Sequence, residues 1–371
     1  DQRDELRRGA EGLGGGVLLD VPALFEHAEE PMRVALVHPQ GTRDSGRTEP
    51  GTKSQLSFVA QRSFSRDTLD TDVFVVRGAK PGPTLCLIAA VHGDEINGVE
   101  IARYSYAESD PATLSGTLIS IPIVNVWGFR SGNRMLPDRR DLNRGFPGNR
   151  SGSTASQTAF NLFDRVIRHC EFLVDLHTGS NDRSNLPQIR VDLDNEGARG
   201  LALAFNVGVV LGGSGPLGSL RRSAVDAGIP AIIYESGGPN RFEKHEIAQG
   251  IAGVQSVMKH LRMLEGAPPK PDPQRIYRNT SWVRSPGGGI FLTERSLGEE
   301  IAQGDLLGTV TDPHSSVRVE ILAPFPGTLI GMANPTVVLP GFGLFHLGRS
   351  GEVIAPEPRA PADQDLEPDG E

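Results

Sequence analysis

Leu85-Cys-Leu-Ile-Ala-Ala-Val-His92-Gly-Asp-Glu95 is the stretch that decides the fold of this chain. Its apolar run, residues 85–91, predicts a strand buried on both faces. The run ends in a polar turn at Gly93 that carries His92 and Glu95. Imidazole nitrogen and carboxylate oxygen are both zinc ligands, so the end of this strand predicts a metal site.

Spacing alone does not establish such a site. His27 and Glu30 have the same spacing, but they lie in a short polar segment that no strand precedes. We interpret that copy as solvated surface. The spacing of His92 and Glu95 fits metal ligands and ordinary turn residues equally well. The buried strand that precedes them favours the metal site.

Length and charge limit the classes of protein that fit. The chain has 371 residues and a net charge of −9, and it contains no apolar run of membrane-spanning length. These properties argue against a nucleic-acid partner and against a membrane. Two cysteines, Cys86 and Cys170, lie in apolar segments and are expected to be small core residues without a disulfide framework. We expect a cytoplasmic protein, although the absence of an initial methionine is compatible with a removed leader.

Strand-like and helix-like runs alternate through most of the chain, and residues 155–170 give the clearest helix. This alternation predicts an α/β fold with a mixed, mostly parallel sheet flanked by helices. A Pro-rich stretch then precedes short strand-like runs, among them residues 281–291, which predict a small C-terminal all-β, barrel-like module. The predicted domains are an N-terminal extension (1–57), a catalytic domain (58–266), a linker (267–273), the β module (274–350) and an acidic disordered tail (351–371).

Two further polar residues follow apolar strands. His177 ends the run Phe172-Leu-Val-Asp-Leu-His177, and Glu235 follows Ala231-Ile-Ile-Tyr234. Ligands of an open α/β sheet bind beyond the carboxyl ends of its strands, so His177 is expected to join His92 and Glu95. Alternatively, His177 is a core histidine whose hydrogen bonds are satisfied within the protein, and Glu235 is an acid that caps the end of a strand. A carboxylate at the position of Glu235 suits a general base for metal-activated water.

An arginine-rich loop at residues 133–148 holds four arginines among turn and packing residues. Arginine binds carboxylates and stabilises oxyanions, although a solvated charged loop is the usual alternative. Asn125, which also ends an apolar strand, is expected to have only a structural or second-shell role.

Four motifs occur together in one order: His92-Gly-Asp-Glu95, Asp141-Leu-Asn-Arg144 with Phe-Pro-Gly, Asp175-Leu-His177, and Glu235-Ser-Gly-Gly-Pro. In this combination the chain resembles the succinylglutamate desuccinylase/aspartoacylase family of zinc carboxypeptidase-like deacylases over about residues 60–350. The resemblance implies one Zn²⁺ per chain, held by the two histidines and Glu95, with Glu235 as general base and acid. It implies that Arg134 polarises the scissile carbonyl and that Asn143 and Arg144 hold a substrate carboxylate.

The chain also departs from that family. Its aspartoacylases use a tyrosine of the C-terminal module near the substrate, but no tyrosine follows Tyr277. The segment between Arg134 and Asp141 is also longer than in the well-known aspartoacylases. Because of these two differences, the resemblance does not identify the substrate. The module resembles lipoyl- or biotin-carrier barrels, yet no lysine follows Lys270, which excludes a lysine-linked carrier. We expect the module to shape or shield the mouth of the active site.

The leading hypothesis is therefore a zinc-dependent deacylase that hydrolyses the amide of an N-acyl amino acid or a related acylated amine. The expected partner is a small molecule carrying a carboxylate, and a homo-oligomer is compatible with the sequence. A metallocarboxypeptidase acting on short peptides would share the metal site. A non-catalytic zinc-binding protein is the third alternative, but it would need neither Glu235 nor Arg134.

Overall fold

The computed structural model describes residues 48–62, 68–180, 182–270, 272–349 and 351–354. The predictions for the first 47 residues, including the segment around His27 and Glu30, and most of the predicted tail lie outside these ranges. The α-helices are α1 (Asn97–Glu108), α2 (Val126–Ser131), α3 (Thr154–Arg165), α4 (Glu196–Phe205), α5 (Leu220–Asp226) and α6 (Lys244–His260). The strands are β1 (Thr52–Arg62), β2 (Thr68–Arg77), β3 (Lys80–Ala89), β4 (Ser115–Ile121), β5 (Phe172–His177), β6 (Arg183–Val191), β7 (Val209–Gly212), β8 (Ala231–Gly237), β9 (Gln274–Tyr277), β10 (Asn279–Arg284), β11 (Gly289–Leu292), β12 (Glu300–Ile301), β13 (Leu306–Thr311), β14 (Arg318–Leu322), β15 (Gly327–Ala333), β16 (Thr336–Val338), β17 (Gly343–Arg349) and β18 (Glu352–Ile354).

The central sheet has the order β1-β2-β4-β3-β5-β8-β6-β15-β17-β10. Its middle strands β4, β3, β5 and β8 are parallel, and antiparallel pairs flank them. Residues 85–89 of β3 are fully buried because helices cover both faces of the sheet. One face packs against α3 and α5, and the other packs against α1, α4 and α6. The predicted mixed, mostly parallel α/β fold is confirmed.

Helix α3 is shorter than its sequence pattern indicates. The helix ends at Arg165 because Val166 has a non-helical backbone (φ −124°, ψ −58°), and a short 3₁₀ turn, Ile167–His169, follows. Both pieces still bury their apolar side chains in one cluster, which explains why the periodicity continues across the break.

The prediction of one strand over residues 281–291 is wrong. Strand β10 ends at Arg284 and pairs with β17 in the central sheet, whereas β11 begins at Gly289 in a separate antiparallel sheet of order β14-β13-β11-β16. The intervening Pro-Gly-Gly segment allows the chain to change sheets. Strands β15 and β9 pair with β6 and β7, so C-terminal strands extend the central sheet.

Cys86 and Cys170 are buried, as expected for core residues. They are also joined by a disulfide, with their Cα atoms 5.8 Å apart, so the expectation of cysteines without a disulfide is wrong. This bond connects β3 with the residues that precede β5. Among the described helices, none has the length and apolar character needed to cross a membrane.

Candidate active site

The candidate site lies at the carboxyl ends of β3, β5 and β8, which are adjacent parallel strands. His177 is the last residue of β5 and pairs directly with Glu235 of β8. His92 follows the end of β3 by three residues, so all three side chains reach the same edge of the sheet.

The turn that carries His92 and Glu95 is held by a close backbone contact. A Cβ atom on Gly93 would come within 1.9 Å of the Gly128 carbonyl carbon in α2, so only glycine fits there. The Glu95 amide donates to the His92 carbonyl at 3.2 Å and closes the turn. Asn125 accepts a hydrogen bond from the Gly128 amide at 2.9 Å, which is a contact of the structural kind expected for it.

His92, Glu95 and His177 form one buried group whose ligand atoms all lie within 4.8 Å of one another. Their exposed fractions are 3%, 2% and 4%. The Nδ1 atom of His92 lies 2.8 Å from Glu95 Oε1, and the Nδ1 atom of His177 lies 2.7 Å from Glu95 Oε2. The structure therefore brings together the three predicted ligands in an arrangement consistent with one metal ion.

The surroundings of the Nε2 atom in each histidine support this interpretation. His92 Nε2 lies 3.0 Å from Asp141, and His177 Nε2 lies 3.0 Å from Asp175. A carboxylate behind an imidazole orients a metal-binding histidine and makes its other nitrogen a better ligand. His92 Nδ1 and His177 Nε2 are both buried without a hydrogen-bond partner among the described residues, although the carboxylates of Glu95 and Asp175 are close to them. The donor set fits a divalent ion such as zinc.

The electrostatics of the group are those of tightly paired charges. Burial alone would raise the pKa of the Glu95 carboxyl, but His92 and His177 lower it well below its usual range. Burial alone would lower the pKa of His177, but Asp175 and Glu95 raise it well above the ordinary value. Because a ligating imidazole must be unprotonated at the ligating nitrogen, a metal ion competes with protons for these side chains.

The structure places Arg134, Asn143 and Arg144 on the wall of the same cavity. Arg134 donates to Glu95 at 2.7 Å and to Asp141 at 2.9 Å. Asn143 accepts a hydrogen bond from the backbone amide of Leu220, so its oxygen is already used by the protein. Its NH₂ group remains the part of the side chain that can donate to a ligand.

Glu235 lines the cavity together with His92, Glu95 and His177. Its carboxylate accepts a hydrogen bond from Asn185 and lies 3.0 Å from Arg190 Nε. The predictions did not include Asn185 and Arg190. Both lie on β6, next to β8 in the sheet, and no sequence motif indicates that pairing.

The cavity has a volume of about 750 Å³ and is lined by residues of the predicted catalytic domain and of the predicted β module. Arg221 is 4% exposed, and its Nε and Nη1 atoms have no hydrogen-bond partner among the described residues. Burial lowers the pKa of its guanidinium to about 10, and Arg190 acts in the same direction. Trp282 and His346, which both belong to the predicted β module, form a stacked pair with their ring planes inclined by 5°. No sequence motif indicated these three residues.

Comparisons with known proteins identify related sequences. Residues 81–261 match the family described as the succinylglutamate desuccinylase/aspartoacylase catalytic domain. The chain is 26% identical over 275 residues to an N-alpha-acetyl-L-2,4-diaminobutyric acid deacetylase from Halomonas elongata, which covers 69% of this chain and 79% of the relative.

Solved structures show the same fold. The product-bound ectoine utilization protein EutE (DoeB) from Ruegeria pomeroyi is 25% identical, with a TM-score of 0.72 over 80% of this chain and 94% of that one. A succinylglutamate desuccinylase/aspartoacylase from Rhodobacter sphaeroides is 23% identical, with the same TM-score and the same coverage.

Proposed function

Because the chain belongs to the succinylglutamate desuccinylase/aspartoacylase family of deacylases, we propose that it is a zinc-dependent deacylase that hydrolyses the amide bond of an N-acyl amino acid. The observation that carries this proposal is the buried group of His92, Glu95 and His177 in one cavity with Glu235. A site that only stored a metal would need no further carboxylate at the neighbouring strand end.

A zinc ion in this group would supply a Lewis acid that polarises the carbonyl and lowers the pKa of water. Glu235 takes a proton from the attacking water and delivers it to the departing amine nitrogen. Asn185 and Arg190 orient the Glu235 carboxylate for this transfer. Arg134, held within hydrogen-bond distance of Glu95, is the guanidinium that faces the charge developing on the carbonyl oxygen.

The carboxylate of the amino acid binds where the cavity offers unpaired donors. Arg144 and the NH₂ group of Asn143 line this part of the wall. Arg221 adds a buried guanidinium whose Nε and Nη1 have no acceptor among the described residues. An unpaired buried guanidinium is costly, and a bound carboxylate compensates it. In this proposal residues 274–350 act as the module that closes the far side of the cavity.

The direct test is a panel of substrates combined with metal analysis. Purified protein should contain about one zinc per chain and should release free amino acid from N-acetyl and N-succinyl amino acids. Short unblocked peptides should be poor substrates. Zinc-loaded protein that cleaves the peptides and leaves all acyl amino acids intact would instead support a carboxypeptidase.

Arg144→Ala should raise KM for substrates with a free α-carboxylate by about 10- to 100-fold, because a charge-assisted hydrogen bond is lost. KM for the corresponding α-amides, which lack that charge, should change much less. Initial-rate kinetics on matched acid and amide pairs measure the difference. Equal increases for acids and amides would contradict the anchoring role of Arg144.

A further inference from the structure

A side-chain bridge joins the turn that carries Glu95 to the turn that follows Glu235. The first turn comes after β3 and the second comes after β8, and these strands are not neighbours, because β5 lies between them. The ladder hydrogen bonds of the sheet attach each strand to β5. They do not fix the distance between the two turns, which lie beyond the ends of the ladders.

Asn97, the first residue of α1, makes three hydrogen bonds in this bridge. Its Nδ2 donates to the Ser236 carbonyl at 3.2 Å and to Glu243 Oε2 at 3.2 Å. Its Oδ1 accepts from the backbone amide of Glu243 at 2.9 Å. The residue is 1% exposed, and both hydrogens of its amide group are used by the protein. Asn97 therefore acts on the site through the residues that it holds, without a donor left for a substrate.

The carboxylate of Glu243 closes the turn that follows β8. Its Oε2 accepts from the Gly238 amide at 2.8 Å, and Arg241 Nε donates to its Oε1 at 3.0 Å. Gly237 has a φ of +72°, and a Cβ atom on it would overlap with Glu243 Oε2. The carboxylate thus occupies a space that only glycine leaves free, and it holds the turn in one conformation.

Two further contacts keep the first turn in place. The backbone amide of Asn240 donates to the Asp94 carbonyl at 2.7 Å. Gly98 lets the start of α1 lie against the end of β5, since a Cβ atom there would come within 2.6 Å of Leu176 Cβ. Residues 94–97 are therefore attached to the turn after β8 at more than one point and are packed on the strand between them.

The stability of α1 does not explain an asparagine at this position. Asparagine side chains near the start of a helix commonly cap its free backbone amides. Helix α1 has no side-chain cap at Ile96, its N-cap residue, and the side chain of Asn97 contacts the turn after β8 instead. The bridge accounts for the residue, whereas the helix end does not.

We propose that Asn97, together with Glu243, is a positioning residue that holds the Glu235 carboxylate at a fixed place relative to the turn of His92 and Glu95. A general base must lie within hydrogen-bond reach of the proton that it takes. A displacement of about 1 Å can cost about 100-fold in rate. This role rests on the proposed function and adds to it two residues outside the cavity lining.

The first experiment uses Asn97→Asp, which keeps the size of the side chain but replaces its NH₂ donor by an acceptor. For the best substrate of the acyl amino acid panel, kcat should fall about 10- to 100-fold. KM and zinc content should stay within about twofold of wild type, because the substitution leaves the cavity lining and the three candidate ligands unchanged. An unchanged kcat, or loss of zinc, would overturn the positioning role.

The matched control is Asn195→Asp, the same substitution at the N-cap of α4. The side chain of Asn195 accepts from the Ala198 amide at 2.8 Å, and an aspartate accepts there equally well. This variant should have the kcat, KM and zinc content of the wild type.

A double-variant cycle distinguishes positioning from a general structural role. Because Asn97 acts through Glu235, Asn97→Asp should lower kcat by less than about threefold in a Glu235→Gln background. A residue that only stabilised the fold would lower kcat by the same factor in both backgrounds. The same factor would therefore overturn the positioning role, whereas wild-type turnover in Glu235→Gln alone would contradict the proposed function.

Glu243→Ala tests the bridge from its more accessible end and serves if Asn97→Asp does not fold. The side chain of Glu243 is 27% exposed, so water can reach the groups that it leaves. We expect kcat to fall at least about threefold at unchanged KM and zinc content, and this loss should disappear in the Glu235→Gln background. No loss in the wild-type background, or a loss that persists with Glu235→Gln, would overturn the assignment.

Discussion

Glu235→Gln is expected to lower kcat by about 100- to 10,000-fold while the protein keeps its metal. The amide side chain has nearly the same shape as the carboxylate, but it cannot take a proton from water at neutral pH. Since Glu235 is not in the group of metal-binding atoms, the zinc content should stay near that of the wild type. Stopped or continuous assays for amine release, together with metal analysis of the same sample, measure both quantities.

A matched control for this substitution is Glu196→Gln, which removes an exposed carboxylate from the first turn of α4. It should leave kcat unchanged. If Glu235→Gln retains wild-type turnover, Glu235 has no part in proton transfer. If the variant loses zinc as well, the defect lies in assembly of the site and the proposed role is not supported.

His177→Ala should remove both bound zinc and turnover, with activity falling at least about 1,000-fold. In the proposed site the imidazole would supply one of three ligands, and its Nδ1 lies 2.7 Å from Glu95. Without it, Glu95 and His92 cannot complete a site with an open position. The control His245→Ala removes a histidine at the surface near the start of α6, with a side chain 76% exposed, and should change nothing.

A graded variant at the same place separates ligand loss from general damage. Asp175→Asn keeps the size of the side chain behind His177 but removes its negative charge. The zinc affinity of Asp175→Asn should fall by about 10- to 100-fold, which is less than the loss in His177→Ala.

Equal zinc content in wild type and His177→Ala would show that His177 is not a ligand.

Most of the candidate metal-binding group could be predicted because its signals are local. Residues 85–91 form an apolar run, and residues 172–176 are apolar except for Asp175. Buried strands explain this composition, and a histidine follows the end of each segment. The placement of Glu235 beyond residues 231–234 follows in the same way. The chemical identity of each strand-end residue is visible in the sequence because the buried run before it determines where the strand ends.

The sequence did not indicate the neighbours of these residues, because long-range pairing decides them. Asn185 and Arg190 contact Glu235 only because β6 lies beside β8. Arg183 contacts Phe342 and Trp282 because C-terminal strands extend the sheet beside β6. In the sequence, Arg183 and Arg190 resemble residues on the exposed face of an ordinary strand.

The apolar strand ends and their polar residues were therefore determined by the sequence itself, through hydrophobic burial acting over a few residues at a time. The charge of the cavity was decided only by the tertiary structure. Strands more than 80 residues apart along the chain bring guanidinium groups together there, and an isolated arginine carries no sign of which carboxylate, if any, will neutralise it.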